Sequence, residues 1–352
     1  MKKILIIVYN LKNGGVERVL SVIANFLANK GYDTNILAIY NDEICYKLDP
    51  RIHYTYVPLI QLYHHQSHLE KVKTMVGIYK EMKRVDPDCV IGFDDAIIFF
   101  SAPSVWLLRK KFIVSERNDP SKNTRALKIA RQLAYDISRH VVFQTPDAQK
   151  FFPKRTRKKS VIIPNPLKND LPYHKDTYNQ NIVMACRLRA QKNIHLAIEG
   201  FSKFHALHPG YKLVIYGEGE LKEELEAYAE KLSVGNNVIF PGHTDQIYEI
   251  MSEAAMYLST SDYEGISNSM LEALAIGVPS ICTDCPVGGA RMLIENNMNG
   301  ILVPVRDAEA VASAMSKIAD DRYFALSLSQ KSVKIREKLN IEKICPQWEA
   351  LF

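Results

Sequence analysis

Short apolar runs alternate with helical patterns along this chain. In the first half, runs at residues 3–9, 34–39, 89–92, 112–115, 140–144 and 160–163 have the length and continuity of strands covered on both faces. Between the first two runs, Val19, Leu20, Ile23, Ala24 and Leu27 share one helical face. They predict a helix over 16–30 that Gly31 closes. Pro164-Asn165-Pro166 stops the sixth run, and the polar stretch 167–180 reads as a linker. A second series follows, with strands predicted at 182–185, 212–216, 237–240, 255–258 and 279–283 and a mostly helical tail over 307–352. Strands alternating with helices mean parallel sheets. The expected fold class is therefore α/β, with two Rossmann-like domains at about 1–170 and 171–335. Such sheets bind ligands beyond the carboxyl ends of their strands, so both domains are expected to aim loops into one cleft.

Composition changes this picture little. The chain has 352 residues, 47% apolar and 24% charged, as ordinary globular proteins do. The first apolar run is too short for a secretory signal, and none reaches the ~18 residues of a membrane span. Six cysteines, scattered without an export signal, read as reduced cytosolic thiols. Cys282 and Cys285 form a Cys-x-x-Cys but have no second ligand pair, so the spacing is taken as incidental. Charge is more telling. Residues 1–170 hold 28 Lys+Arg against 16 Asp+Glu, whereas 171–352 hold 17 against 23. A basic half calls for an anionic partner.

The most informative segment is Glu264-Gly265-Ile266-Ser267-Asn268-Ser269-Met270-Leu271-Glu272. Ser267 is a suitable N-cap, Leu271, Leu274 and Ala275 share an inward face, and Gly277 with Pro279 ends the helix. One carboxylate then precedes the helix and the other lies just over one turn in. Between them a helix N-terminus offers N–H groups that suit a phosphate. Two glutamates at this spacing also occur by chance on many helices. The segment resembles the Glu-seven-residues-Glu motif of the retaining family-four glycosyltransferases, which have the GT-B fold, and the resemblance extends over nearly the whole chain. It implies that Glu272 meets the ribose hydroxyls and Glu264 the transferred sugar. Gly265, Ile266, Ser267 and Asn268 would then donate to sugar and phosphate. Proline is frequent in the family where this chain has Ser267.

Companion segments carry the likeness further. Gly14 and Gly15 precede the first helix, where a simple tight turn would also want them. In the family this loop packs against the donor diphosphate. Glu116 and Arg117 follow a predicted strand, where relatives have Ser-Glu-His or Ser-Glu-Arg near the donor sugar and acceptor. A guanidinium is no base at neutral pH, so Arg117 would bind phosphate or hydroxyls. Arg187 and Lys192 lie five apart at the start of the second domain and can converge on one diphosphate, as fork and point charge. The resemblance gives them that role. It also makes the loops at Gly217 and at His243 and Thr244 the pocket for the nucleotide base, although His243 read alone is an ordinary loop histidine. Residues 284–291 resemble a cleft loop of transferases that use hexosamine-type donors. The last helix, at about 336–352, is implied to cross back to the first domain.

The segment Phe151-Phe152-Pro153-Lys154-Arg155-Thr156-Arg157-Lys158-Lys159 sets five cations beside two aromatic rings. Lys122, Arg125, Lys128, Arg131 and Arg139 are expected on a nearby amphipathic helix, and Trp106 and Leu107 precede Arg109-Lys110-Lys111. Such clusters suit an anionic membrane surface. No nucleic-acid-binding pattern is present, nor any Asp-x-Asp or histidine cluster in a setting that would hold a metal. No cofactor is called for. The expectation is a metal-independent transferase, cytoplasmic and peripheral at the inner membrane face. It would move a hexose or N-acetylhexosamine from a nucleotide-sugar, UDP-linked, to a lipid-linked glycan acceptor in capsule, O-antigen or similar polysaccharide synthesis. Two other functions share these features. One is a GT-B nucleotide-sugar 2-epimerase. The other is a non-catalytic anion-binding adaptor, against which Glu264, Glu272, Arg187 and Lys192 argue.

Overall fold

A computed structural model describes residues 1–12, 14–58, 68–122, 125–175 and 179–352. The chain divides into two compact units, Met1–Pro166 with Ile341–Phe352, and Leu167–Asn340. The first holds seven strands: β1 (Lys3–Val8), β2 (Asp33–Ala38), β3 (His53–Tyr56), β4 (Cys89–Phe93), β5 (Lys111–Glu116), β6 (His140–Phe143) and β7 (Ser160–Ile162). They pair in the order β3-β2-β1-β4-β5-β6-β7, all parallel. Ile6 stands between Ile36 and Ile91 in register, so apolar side chains stack across the sheet centre. Ile4 to Ile7 are at most 1% exposed, which accounts for the continuous apolar run.

The second unit repeats the plan with β8 (Asn181–Ala185), β9 (Lys212–Tyr216), β10 (Val238–Gly242), β11 (Met256–Ser259), β12 (Ser280–Thr283) and β13 (Ile301–Val303). Their order is β10-β9-β8-β11-β12-β13, again parallel. Each sheet winds one way from its first strand and then the other. This leaves a switch point between β1 and β4 and another between β8 and β11, where loops diverge and a ligand can enter.

The strands and the first helix (Gly15–Asn29) fall where the sequence predicts them. Two strands lacked a signal. β3 reads His-Tyr-Thr-Tyr on a half-exposed sheet edge, and β13 is three residues long. The stretch predicted as a linker is no free tether. Leu167 and Leu171 are buried, the His174 N–H donates to the Ile276 carbonyl at 2.7 Å, and Lys175 N–H to Ser252 at 2.7 Å. Residues 176–178 lie outside the described residues. Arg336 fastens the same stretch. Its guanidinium donates to the carbonyls of Leu171 (3.0 Å), Ala275 (2.5 Å) and Pro172, and lies 3.8 Å from the Tyr173 ring centre. That holds residues 336–340 in the second unit, so the return to the first unit begins at Ile341 rather than near 336. There the helix Ile341–Glu349 packs beside Gly15–Asn29 and buries Trp348 completely.

Candidate functional site

The β8–β11 switch point gathers most of the chemistry. The loop after β8 ends in a 3₁₀ turn at Ala190–Lys192, and Asn193 caps the helix Ile194–His205 from a left-handed backbone with φ 42°. The loop after β11 runs 260–267. Side chains and backbone lace the two loops together. Thr260 Oγ1 donates to the carbonyls of Lys192 (3.1 Å) and Asn193 (3.0 Å). Asn193 Nδ2 donates to Asp262 Oδ1 at 2.8 Å, and Gln191 Nε2 to the Tyr263 carbonyl at 2.9 Å. The Asp262 N–H donates to the Gln191 carbonyl at 3.0 Å, and Arg306 holds the other Asp262 oxygen at 3.0 Å. These bonds hold the backbone at Lys192 against the loop that carries the residue it faces.

That residue is Glu264. Lys192 Nζ donates to Glu264 Oε2, which also lies 3.4 Å from Ser261 Oγ. Both charged side chains are about four-fifths buried, at 19% and 21% exposure. Burial opposes the Lys192 ammonium, but the charge and hydrogen bond of Glu264 outweigh it and hold its pKa above the ordinary range.

The helix Asn268–Ile276 begins where predicted. Ser267 Oγ accepts from the Met270 N–H at 3.4 Å, and Gly277 closes the other end. Tyr257 and Ser269 hydroxyls meet at 2.8 Å, and Ser269 meets Ser267 at 3.1 Å. A small recess between the ends of β8 and β11 is lined by Cys186, Lys192, Ser261, Ser267 and Ser269. The ammonium and the start of the helix thus face one space, and both favour an anion. Glu272, one turn further, is 5% exposed and accepts from the Tyr248 hydroxyl at 2.9 Å. The Glu264–Gly265 turn lies directly on the loop after β12: the Glu264 N–H donates to the Pro286 carbonyl at 2.9 Å. A Cβ on Gly289 would come 1.7 Å from the Gly265 carbonyl oxygen, so only glycine permits that approach. Within this loop Arg291 Nε donates to Asp284 Oδ1 at 2.6 Å.

Two further loops stand at the same sheet end. Gly217 follows β9 with φ 131°, and a Cβ there would meet the Cys186 carbonyl oxygen at 1.9 Å. The residue thus presses the β9 loop against the loop that carries Arg187, whose side chain is exposed. His243, half exposed, lies 3.4 Å from Asp245, and Thr244 Oγ1 accepts from the Gln246 N–H at 3.1 Å.

In the first unit the expected residues are more deeply committed. The Tyr46 hydroxyl accepts from the Gly14 N–H at 3.0 Å and donates to the Gly14 carbonyl at 2.8 Å, while Gly15 opens the first helix. Glu116 is 5% exposed and accepts from Arg131 at 2.9 Å and from Tyr135 at 3.1 Å. Burial, with the nearby Asp95 charge, pushes its carboxyl up to about 7 despite Arg131. Arg117 is a clamp. It donates to Asn165 Oδ1 at 2.7 Å and lies 4.3 Å from the Phe93 ring centre and 5.4 Å from that of Trp348. Arg131, expected among the surface cations, is buried in the Glu116 network. The side chains of Lys122 and Arg125 lie outside the described residues. Of the basic segment, Lys154, Arg157 and Lys158 are exposed, Arg155 pairs with Asp136 at 3.0 Å, and Lys159 donates to the carbonyls of Asp136 and Ser138 at 2.8 and 2.6 Å. Lys159 is therefore held in place by the fold. Cys282 and Cys285 are buried thiols, and burial raises both pKa values.

Sequence reasoning missed Tyr248, Ser261 and Asn193. Nothing in their local pattern marks them, because their roles come from loops brought together by the sheet.

Residues 172–338 match the family model for glycosyl transferases group 1. The chain is 26% identical to an uncharacterised glycosyltransferase of Haemophilus influenzae, covering 100% of both. It is also 26% identical to the Campylobacter jejuni GalNAc-alpha-(1->4)-GalNAc-alpha-(1->3)-diNAcBac-PP-undecaprenol alpha-1,4-N-acetyl-D-galactosaminyltransferase, over 99% of this chain and 97% of that one. Among solved structures, Anabaena HepE in complex with UDP and glucose aligns with a TM-score of 0.85 at 17% identity, over 99% of both chains. Sucrose-phosphate synthase from Thermosynechococcus elongatus aligns with a TM-score of 0.85 at 18% identity, over 100% of this chain and 98% of that one. The fold is that of the GT-B glycosyltransferases.

Proposed function

We propose that this chain is a retaining glycosyltransferase. It moves a hexose or N-acetylhexosamine from a UDP-sugar to a hydroxyl of a lipid-linked glycan, at the cytosolic face of a bacterial membrane, in surface-polysaccharide assembly. The second unit holds the donor and the first receives the acceptor. The observation that carries this reading is the Lys192–Glu264 pair, set beside a capped helix start at the β8–β11 switch point.

A donor diphosphate fits this arrangement because it can exchange partners with it. Lys192 and Glu264 neutralise each other in the structure, so neither buried charge is left uncompensated. With the donor bound, Lys192 and Arg187 turn to the diphosphate, and Glu264 takes hydroxyls of the transferred sugar. Ser267 and Asn268 donate at the start of the helix. Glu272, held by Tyr248, takes the ribose hydroxyls. The loops at Gly217 and at His243 and Thr244 border the base. In the transfer, the bond from the sugar's anomeric carbon to the phosphate oxygen breaks as that to the acceptor oxygen forms on the same face. The acceptor proton passes to the departing phosphate oxygen. The negative charge that develops there is met by Lys192 and Arg187. Glu264 orients the sugar and forms no covalent bond to it. Glu116 and Arg117 act behind the first unit's surface rather than on the sugar.

The reading is tested with Glu264→Gln and Lys192→Ala. Both are expected to fold, Lys192→Ala with a lowered melting temperature because Glu264 loses its counter-charge, and to lose transfer by ~10²–10³-fold. Near-normal turnover in either would remove the assignment.

A further inference from the structure

Singly exposed apolar side chains are ordinary. In the first unit they are aligned. On the helix Arg125–Ile137, Ile129, Leu133 and Ile137 recur every four residues and are 56%, 63% and 41% exposed. The opposite face buries Arg131, Ala134 and Tyr135. The neighbouring helix Asp95–Leu107 exposes Trp106 and Leu107 in its last turn, at 67% and 61%. Beyond it, the helix His68–Val85 exposes Leu69, Val72 and Val76, again at helical spacing. Trp106, Leu107 and Ile137 line one shallow depression with the side chains of Arg109 and Lys110. Two of three adjacent helices thus carry apolar stripes outward and the one between them adds Trp106 and Leu107 at its end, on a layer whose inner faces already supply the core.

The fringe of this face is cationic. Lys71, Lys73 and Lys80 are exposed on the first helix, Lys128 on the third, Arg109 just after the second and Lys111 at the start of β5. Of the acids close by, Asp86 is paired with Lys110, Asp136 with Arg155 and Glu81 with Arg84, while Glu70 stands exposed beside Leu69 and Lys71. An apolar band with an indole at its edge and a basic border complements a bilayer whose headgroups carry negative charge.

We propose that the outer faces of helices His68–Val85, Asp95–Leu107 and Arg125–Ile137 dock on an anionic bilayer. Trp106, Leu107, Ile129, Leu133 and Ile137 enter the acyl boundary, and the bordering cations meet the phosphates. This deepens the lipid-linked-acceptor reading and rests on it for its purpose, but it is read out without any sugar.

The test is sedimentation of the full chain with phosphatidylglycerol–phosphatidylcholine vesicles and with phosphatidylcholine alone. Binding is expected to the first and to be about tenfold weaker to the second. The triple variant Trp106→Ala, Ile129→Ser, Leu133→Ser should lose about tenfold or more of that binding. Its melting temperature and its transfer to a water-soluble acceptor should stay unchanged. Wild-type-like vesicle binding by the variant overturns the proposal. So does a concentration-dependent dimer that the variant abolishes, which would make the face a contact between copies. Vesicle binding without transfer to any acceptor keeps the docking surface and sinks the transferase reading; transfer without vesicle binding does the reverse.

Discussion

The Tyr248 hydroxyl donates to Glu272 Oε1 at 2.9 Å, and the glutamate is almost fully buried. The tyrosine therefore sets the direction in which this carboxylate can accept a second donor. Tyr248→Phe removes one hydrogen bond and is expected to cost about 1 kcal/mol of donor binding. Steady-state kinetics should show KM for the nucleotide-sugar raised roughly fivefold with kcat nearly unchanged. An unaltered KM would detach Glu272 from the nucleotide.

Lys192 and Glu264 exchange partners as one unit in the proposed cycle, so their losses should not add. The double variant Lys192→Ala, Glu264→Gln is expected to be little slower than the worse single variant. Single-turnover rates for all four proteins measure the coupling. Strict additivity would mean that the two side chains act separately.

Glu116 gives a pH signature. Burial and the Asp95 charge raise its carboxyl from the usual 4.5 to about 7 in the folded chain. Between those values the native state binds more protons than the unfolded one, so stability falls as pH rises. The contribution is fully present below about 4.5 and is lost by the time pH passes 7. Urea titrations at several pH values should show this slope in the wild type. Glu116→Gln should lack it.

Trp348 is completely buried and stacks on Phe93 with ring centres 5.2 Å apart, next to the Arg117 guanidinium. Trp348→Ala is expected to cost ~3–5 kcal/mol. Limited proteolysis should then release residues near the C-terminus faster than any other segment. Arg117→Lys keeps the charge but loses the planar stack, so it should also destabilise the chain. A melting temperature equal to wild type in Arg117→Lys would return Arg117 to a role on the substrate.

Much of the fold was legible because parallel strands covered on both faces leave continuous apolar runs, as residues 4–8 and 182–184 do. β3 was not, because a sheet edge needs no such run and His53–Tyr56 is half exposed. Within the candidate site, the capped helix from Ser267 to Gly277 was readable from local signals alone. The pairing of Lys192 with Glu264 was not. It joins positions 72 apart in sequence, and only the β8–β11 neighbourhood brings them together. Arg131 shows the opposite error. It sits among cations in the sequence, yet the fold turns it inward to satisfy Glu116, a partner 15 residues earlier.

The polypeptide passes between its units twice, after Pro166 and after Asn340. The second unit is therefore one uninterrupted segment, whereas the first is assembled from both ends of the chain. During synthesis the later-made half can finish folding first. The earlier half must wait, Phe93 on its central strand β4 still lacking the Trp348 ring that stacks on it, until residues 341–352 have left the ribosome.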